Sequence, residues 1–166
     1  MRQKKIVVIV LMVAISMFPA VLKAQTASAP AAPTIPEAEV RDVVNKYIDR
    51  FKAMDIDLFM ELFSKEAVEN RMVPYSDIRK SYEKTFGMTN QFLYYVNFLV
   101  IQTYTKSAFV SGRYRISQTL AGGDEVNMFK GNIQWELVRE GDALKILRIN
   151  FGRDLEPSQS WLMEHL

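Results

Sequence analysis

The apolar residues of this chain change their period once, near residue 90, and that single change restricts it to a small set of folds. Before it they recur at helical spacing. Val40, Val43, Val44, Tyr47, Ile48, Phe51 and Met54 fall three or four apart, which is one stripe of an amphipathic helix of about 17 residues. Thr34 and Glu37 have the spacing of a capping box, and Pro36 suits a first turn. Asp55 is placed to cap a shorter second helix with Leu58, Phe59, Leu62 and Phe63 as its apolar residues. Residues 64–73 carry no clear period and read as irregular. A third helix is expected from Ser76 or Asp77 to Phe86, with Ile78 and Tyr82 inward and Gly87 as its stop.

From Gln91 the period is two. The run QFLYYVNFLVIQTYT is rich in aromatic and branched residues, the composition of a long strand covered in part on both faces. In the next segment Ala108, Val110, Tyr114 and Ile116 alternate with Arg113, Arg115 and Ser117. Residues 121–124 form a turn. A third long strand from Glu125 to Val138 puts Phe129, Ile133, Trp135 and Leu137 on one face. Residues 140–142 make a hairpin turn, and Leu144 to Phe151 is the fourth strand. Three helices followed by a four-stranded antiparallel meander is an α+β domain. The 166 residues suffice for one such domain with its own core.

The first 24 residues differ in kind. Arg2, Lys4 and Lys5 precede a continuous apolar run from Ile6 to Leu22, and Ala24 offers a small residue for cleavage. This is the layout of a secretory signal peptide. A retained N-terminal anchor is the alternative, and the membrane is otherwise not an expected partner. Residues 25–36, QTASAPAAPTIP, read as an extended Pro/Ala linker. The domain is expected over 37–152 and a C-terminal tail over 153–166. In the tail Leu155, Trp161, Leu162 and Leu166 are expected to dock on a pocket mouth or on a neighbouring subunit.

Composition removes several functions. The chain has no Cys, and its only His is His165. Thiolate nucleophiles, Ser-His-Asp mechanisms and most zinc sites are set aside. The signal segment holds four of the 21 basic residues and none of the 19 acidic ones, so the chain without it has a net charge of −2. That balance lacks the basic footprint of a nucleic-acid binder. No metal and no cofactor is implied.

The run KYIDRFKAMDIDLFMELFSKEAVEN, residues 46–70, resembles the opening of the nuclear transport factor two-like superfamily. A long helix is followed by a bend at Ala53-Met54-Asp55, an apolar second helix ending at Phe63, and a short acidic KEAVE strand. The ending IQWELVREGDALKILRINF, residues 133–151, is similar to that superfamily's final hairpin. The resemblance covers about 115 residues of the chain and implies a cone-shaped fold shared by ketosteroid isomerases and SnoaL-like cyclases. It also implies a pocket between the helices and a curved sheet, and a homodimer formed through the sheet face. The fold hosts enzymes, binders and assembly modules alike.

The isomerase members of that superfamily use a carboxylate base, a Tyr and a protonated Asp. By resemblance, Tyr47 matches the Tyr position, Asn70 or Arg71 the base position, and Gln134 the Asp position. Neither Asn70 nor Arg71 is a carboxylate, so the isomerase mechanism is not expected in that form. The alternation of Ile133, Trp135 and Leu137 also turns Gln134 outward. Tyr47 and Trp135 read first as core aromatics and second as pocket residues, Arg71 first as solvated or ion-paired and second as carboxylate-binding, and Arg148 and Asn150 equally as lining a polar cavity or facing water. The ligand-binding candidates are therefore Tyr47, Asn70, Arg71, Gln134, Trp135, Arg148 and Asn150. The expected function is a secreted or periplasmic pocket protein that binds a small apolar or amphipathic ligand without catalysis. The alternatives are a SnoaL-like isomerase, cyclase or dehydratase, and a cell-envelope interaction module. A buried, perturbed Asp or Glu in the pocket favours the enzyme.

Overall fold

The computed structural model describes residues 34–123 and 125–154. The segments assigned to the signal peptide and to most of the linker, and the tail from residue 155 with Trp161, lie outside them. Nine elements follow in order: α1 (Glu37–Ala53), α2 (Ile56–Met60), β1 (Phe63–Glu69), β2 (Val73–Pro74), α3 (Tyr75–Gly87), β3 (Thr89–Thr103), β4 (Ser107–Leu120), β5 (Val126–Glu140) and β6 (Ala143–Arg153). Among the described residues no helix is long and apolar enough to cross a membrane.

The helical stripe is buried as its spacing requires. Val40, Val43, Val44, Tyr47 and Phe51 of α1 face the core, as do Ile78, Tyr82 and Phe86 of α3. The expected capping box does not form. Pro36 is the N-cap of α1 without a side-chain cap, and Glu37 instead pairs with Arg41 at 2.6 Å, one turn on. Ile35, assigned to the linker, is 3% exposed, and its N–H donates to the Tyr104 carbonyl at 2.9 Å. The end of the linker therefore belongs to the domain. Asp55 does cap α2, accepting from the Leu58 N–H at 3.1 Å.

The helices pack on one face of a curved sheet whose strand order is β2-β1-β6-β5-β4-β3. Its inner face carries Ala108, Val110, Tyr114, Ile133, Trp135, Leu137, Ile146 and Ile149, all buried. Two strands correct the four-stranded expectation, and β1 runs parallel to β6, so the sheet is mixed rather than wholly antiparallel. Both extra strands fall mostly within residues 64–73, where the spacing carries no period, and the resemblance implied the first of them as the KEAVE strand. A register shift against β6 between Phe63 and Val68 breaks the alternation of β1. Phe63 and Ser64 are both buried, Lys65 and Glu66 both exposed, and only Ala67 and Glu69 restore the inward phase. A bulge of this kind erases the two-residue signal in so short a strand.

The turn from β1 to β2 fixes the pocket-side end of β1. Asn70 and Arg71 have positive φ, 47° and 64°, and the Met72 N–H donates to the Glu69 carbonyl at 3.1 Å. This is a type I′ hairpin turn. Asn70 also ties the turn to β6. Its N–H donates to the Ile149 carbonyl at 2.9 Å, and its Oδ1 accepts from the Phe151 N–H at 2.9 Å. Arg71 sits where Gly is preferred, and a left-handed non-Gly residue is strained by about 1 kcal/mol. Arg71→Gly is expected to raise the unfolding free energy by about 0.5–1 kcal/mol, read from urea denaturation.

Candidate functional site

A cavity of about 460 Å³ opens between α1, α3 and the inner face of the sheet. This is the size range of small-molecule sites. Its walls are mostly aromatic and aliphatic, with Phe51, Phe92, Tyr114, Phe129 and Ile133 among them. They exist because the C-terminal halves of α1 and α3 turn Tyr47, Phe51, Tyr82 and Phe86 inward, and β3 answers with Phe92 and Tyr94. Phe51 packs on Phe92 at 4.7 Å and on Tyr94 at 5.0 Å between ring centroids.

Into this apolar space projects one carboxylate. Glu69, the last residue of β1, is 6% exposed and lines the cavity. Its Oε2 has no hydrogen-bond partner. Burial raises its pKa above the ordinary 4.5, and the nearby Tyr82 hydroxyl opposes this in part. A carboxylate removed from water holds its proton more tightly and, once ionised, is a stronger base.

Four tyrosines line the cavity with it, and three of them, Tyr47, Tyr82 and Tyr94, cluster together. Tyr47 from α1 and Tyr82 from α3 meet at 3.5 Å, oxygen to oxygen, and the Tyr94 ring stands edge-on to Tyr47 at 6.1 Å. Burial first, then the Tyr82 hydroxyl and Glu69, pushes the Tyr47 pKa far above the ordinary 10; burial, then Glu69, does the same to Tyr82, where the Tyr47 hydroxyl opposes it. Burial, then Tyr47, does the same to Tyr94. These phenols remain protonated donors in the neutral range. At the far side Gln118 donates to the Thr89 hydroxyl at 2.7 Å, so this buried polar pair is satisfied. Arg153, at the end of β6, contributes a guanidinium to the rim.

Of the seven sequence candidates, Tyr47 alone lines this cavity. Trp135 is 1% exposed and packs edge-on against the Tyr47 ring at 5.6 Å, with its Nε1 unpartnered. Asn70 and Arg71 occupy the hairpin turn, Asn70 as a backbone tie. Gln134, Arg148 and Asn150 lie on the outer face of the sheet. Gln134 and Asn150 face one another across β5 and β6, and Arg148 pairs with Glu136 at 2.5 Å and is exposed. These outer residues share a shallow hollow of about 310 Å³ with Val100 and Phe109. Glu69, Tyr94 and Arg153 were not among those candidates, nor was Tyr82, which was read only as an inward residue of its helix. The signal available for Glu69 was its spacing of two from the small, buried Ala67 in the KEAVE run.

No family model and no curated relative matches the sequence. Solved structures do. A superfamily protein of the nuclear transport factor 2-like type from Salmonella enterica superposes with a TM-score of 0.65 at 15% identity, covering 73% of this chain and 92% of that one. The Kfla4162 protein of Kribbella flavida gives 0.64 at 16% identity, with 74% and 94% covered. A hexachlorocyclohexane dehydrochlorinase, LinA type 2, gives 0.62 at 10% identity, with 72% and 85% covered. These likenesses show the fold alone, because the identities are low.

Proposed function

We propose that this chain, a domain of nuclear transport factor 2-like fold, moves a proton on a small, largely apolar compound, with Glu69 as the general base. One observation carries the reading. A buried carboxylate with a free oxygen faces an apolar cavity lined by phenolic donors. A core has no use for such a group, since an unpartnered buried carboxylate costs stability. A purely binding pocket would be served better by a neutral acceptor. The fold neighbour named for dehydrochlorination supports a chemistry that begins with removal of a proton.

In this scheme Glu69 Oε2 takes a proton from a carbon made acidic by an adjacent withdrawing group. The C–H pair becomes the new π bond or enolate. The negative charge that develops is met by a Tyr47 or Tyr82 hydroxyl, which stays protonated and donates. The proton on Glu69 then goes to a second carbon, giving isomerisation, or to solvent after a leaving group departs, giving elimination.

A test independent of the natural substrate uses 5-nitro-1,2-benzisoxazole. A base removes its ring C–H proton, the N–O bond breaks, and a coloured phenolate forms. The chain is expected to open it faster than an equal concentration of acetate. Tyr47→Phe is expected to slow the reaction about tenfold and to change the stability by less than about 1 kcal/mol. An unchanged rate would remove the hydroxyl from the mechanism and leave Tyr47 as a core residue.

The reading places the domain outside the cytoplasm, on the strength of the N-terminal signal-like segment, and as a homodimer. The dimer is supported by Leu93, Tyr95, Val100, Phe109 and Met128, which stand exposed on the outer face of the sheet. Native mass spectrometry of exported protein reads both the mature N-terminus and the oligomeric mass.

A further inference from the structure

The rim of the cavity carries a second, unused charge. Arg153 is the only cation among the described residues that line it. Its guanidinium lies over the Phe129 ring, 4.3 Å from the centroid, which holds the planar fork in a fixed orientation. Six other arginines (Arg41, Arg50, Arg79, Arg113, Arg139 and Arg148) have carboxylate partners. Among the described residues Arg71, Arg115 and Arg153 have none, and of these only Arg153 lines the cavity. Its neighbour Asp154 is turned away and committed to Arg113.

The spacing of the two charges is set by the sheet. Glu69 of β1 lies opposite Ile149 of β6, and Arg153 stands four residues further along β6. At about 3.3 Å per residue the two backbones are about 13 Å apart along the strand. With both side chains reaching inward, the intervening space suits one ring or two fused rings. Phe151, Ile133, Tyr114 and Phe129 wall that space.

We infer that the cavity takes a ring compound bearing one anionic group, with Arg153 holding the anion at the mouth and the apolar ring directed toward Glu69. The inference rests on the cavity being the functional site and deepens that reading. It also sets the orientation of the ligand. An anionic group placed beside the Glu69 carboxylate would be repelled in a low-dielectric space, so the compound enters apolar end first.

A matched pair of fluorescent probes tests it on the full chain: 8-anilinonaphthalene-1-sulfonate, which is anionic, and N-phenyl-1-naphthylamine, its neutral counterpart. Arg153→Met is expected to weaken the sulfonate about tenfold and to change the neutral probe less than about twofold. Arg153→Lys keeps the charge and is expected to restore most of the sulfonate affinity. Arg115→Met, which removes a cation from the outer face, is expected to leave both probes unchanged. The inference is overturned by sulfonate affinity that Arg153→Met leaves intact, by an equal loss of both probes, or by the same loss in Arg115→Met. Glu69→Gln separates this from the proton-transfer reading. If Glu69 is not the base, Glu69→Gln keeps its benzisoxazole rate while Arg153→Met still divides the two probes.

Discussion

Glu69→Gln is expected to abolish most of the base-promoted chemistry of the cavity while making the protein more stable at neutral pH. Gln keeps the shape of the side chain and removes the ability to accept a proton. A positioned general base contributes about 10²–10⁴ in rate, so the benzisoxazole rate should fall by about 100-fold or more. The stability change has the opposite sign. The Glu69 pKa is raised above the ordinary 4.5 in the folded chain by burial, so the folded state holds a proton that the unfolded state has released. Stability from this group is therefore full below the unfolded value and is lost as pH rises through the folded one. Wild type should lose stability on going from pH 4.5 toward neutrality relative to Glu69→Gln, and the variant should be more stable by about 1 kcal/mol at pH 7. Urea denaturation of the two chains across that range reads the difference, which cancels the other titrating groups. Lower activity paired with higher stability is the expected mark of a functional group held at a cost to the fold.

The second large effect is structural and lies at the mouth of the same cavity. A Cβ on Gly131 would stand 1.8 Å from the Gly152 carbonyl oxygen and 3.0 Å from Cε1 of Tyr114. The first neighbour is backbone and cannot rotate away. Gly131→Ala must push β5 from β6 where Gly131 pairs with Arg153. The expected cost is about 3 kcal/mol, which for a domain of this size is a fall of about 10 °C in Tm. The adjacent Gly152 is the control, because a Cβ there meets nothing within 4 Å. Gly152→Ala is expected to change stability by less than about 0.5 kcal/mol. Equal effects from the two substitutions would contradict the close approach of the strands. Because Arg153 and Tyr114 flank the clash, Gly131→Ala should also weaken probe binding in whatever fraction remains folded.

The parts of the fold that were legible in the sequence are those with an unbroken period. Val40 through Phe51 predicted the buried face of α1, and Ile133, Trp135 and Leu137 predicted the inner face of β5. The same alternation turned Gln134 outward, and the structure places it on the outer face beside Asn150. The order of the elements, together with the 46–70 and 133–151 runs, carried the likeness to the cone-shaped fold. What was not legible depended on register. The bulge in β1 erased its two-residue period, so the KEAVE strand was carried by the resemblance alone and the inward phase of Glu69 was not legible. The cavity's buried carboxylate lies one residue before Asn70 and two before Arg71, so a shift of one position put it out of view. Arg153 was assigned to the tail, because nothing local shows that β6 continues past Phe151. Tyr47 had two readings, core aromatic and pocket residue. At 2% exposure with its hydroxyl at the cavity wall, it satisfies the burial of the first and the position of the second.

The account turns on whether Glu69 is a base in an apolar cavity. The most direct measurement is the pH–rate profile of benzisoxazole opening by wild type and by Glu69→Gln, with hydroxide background subtracted. The account predicts a single rise in the wild-type rate, centred above the ordinary carboxylate value, that is absent from the variant. Equal profiles for the two chains would contradict it and would leave the cavity as a binding site in which Glu69 takes no proton.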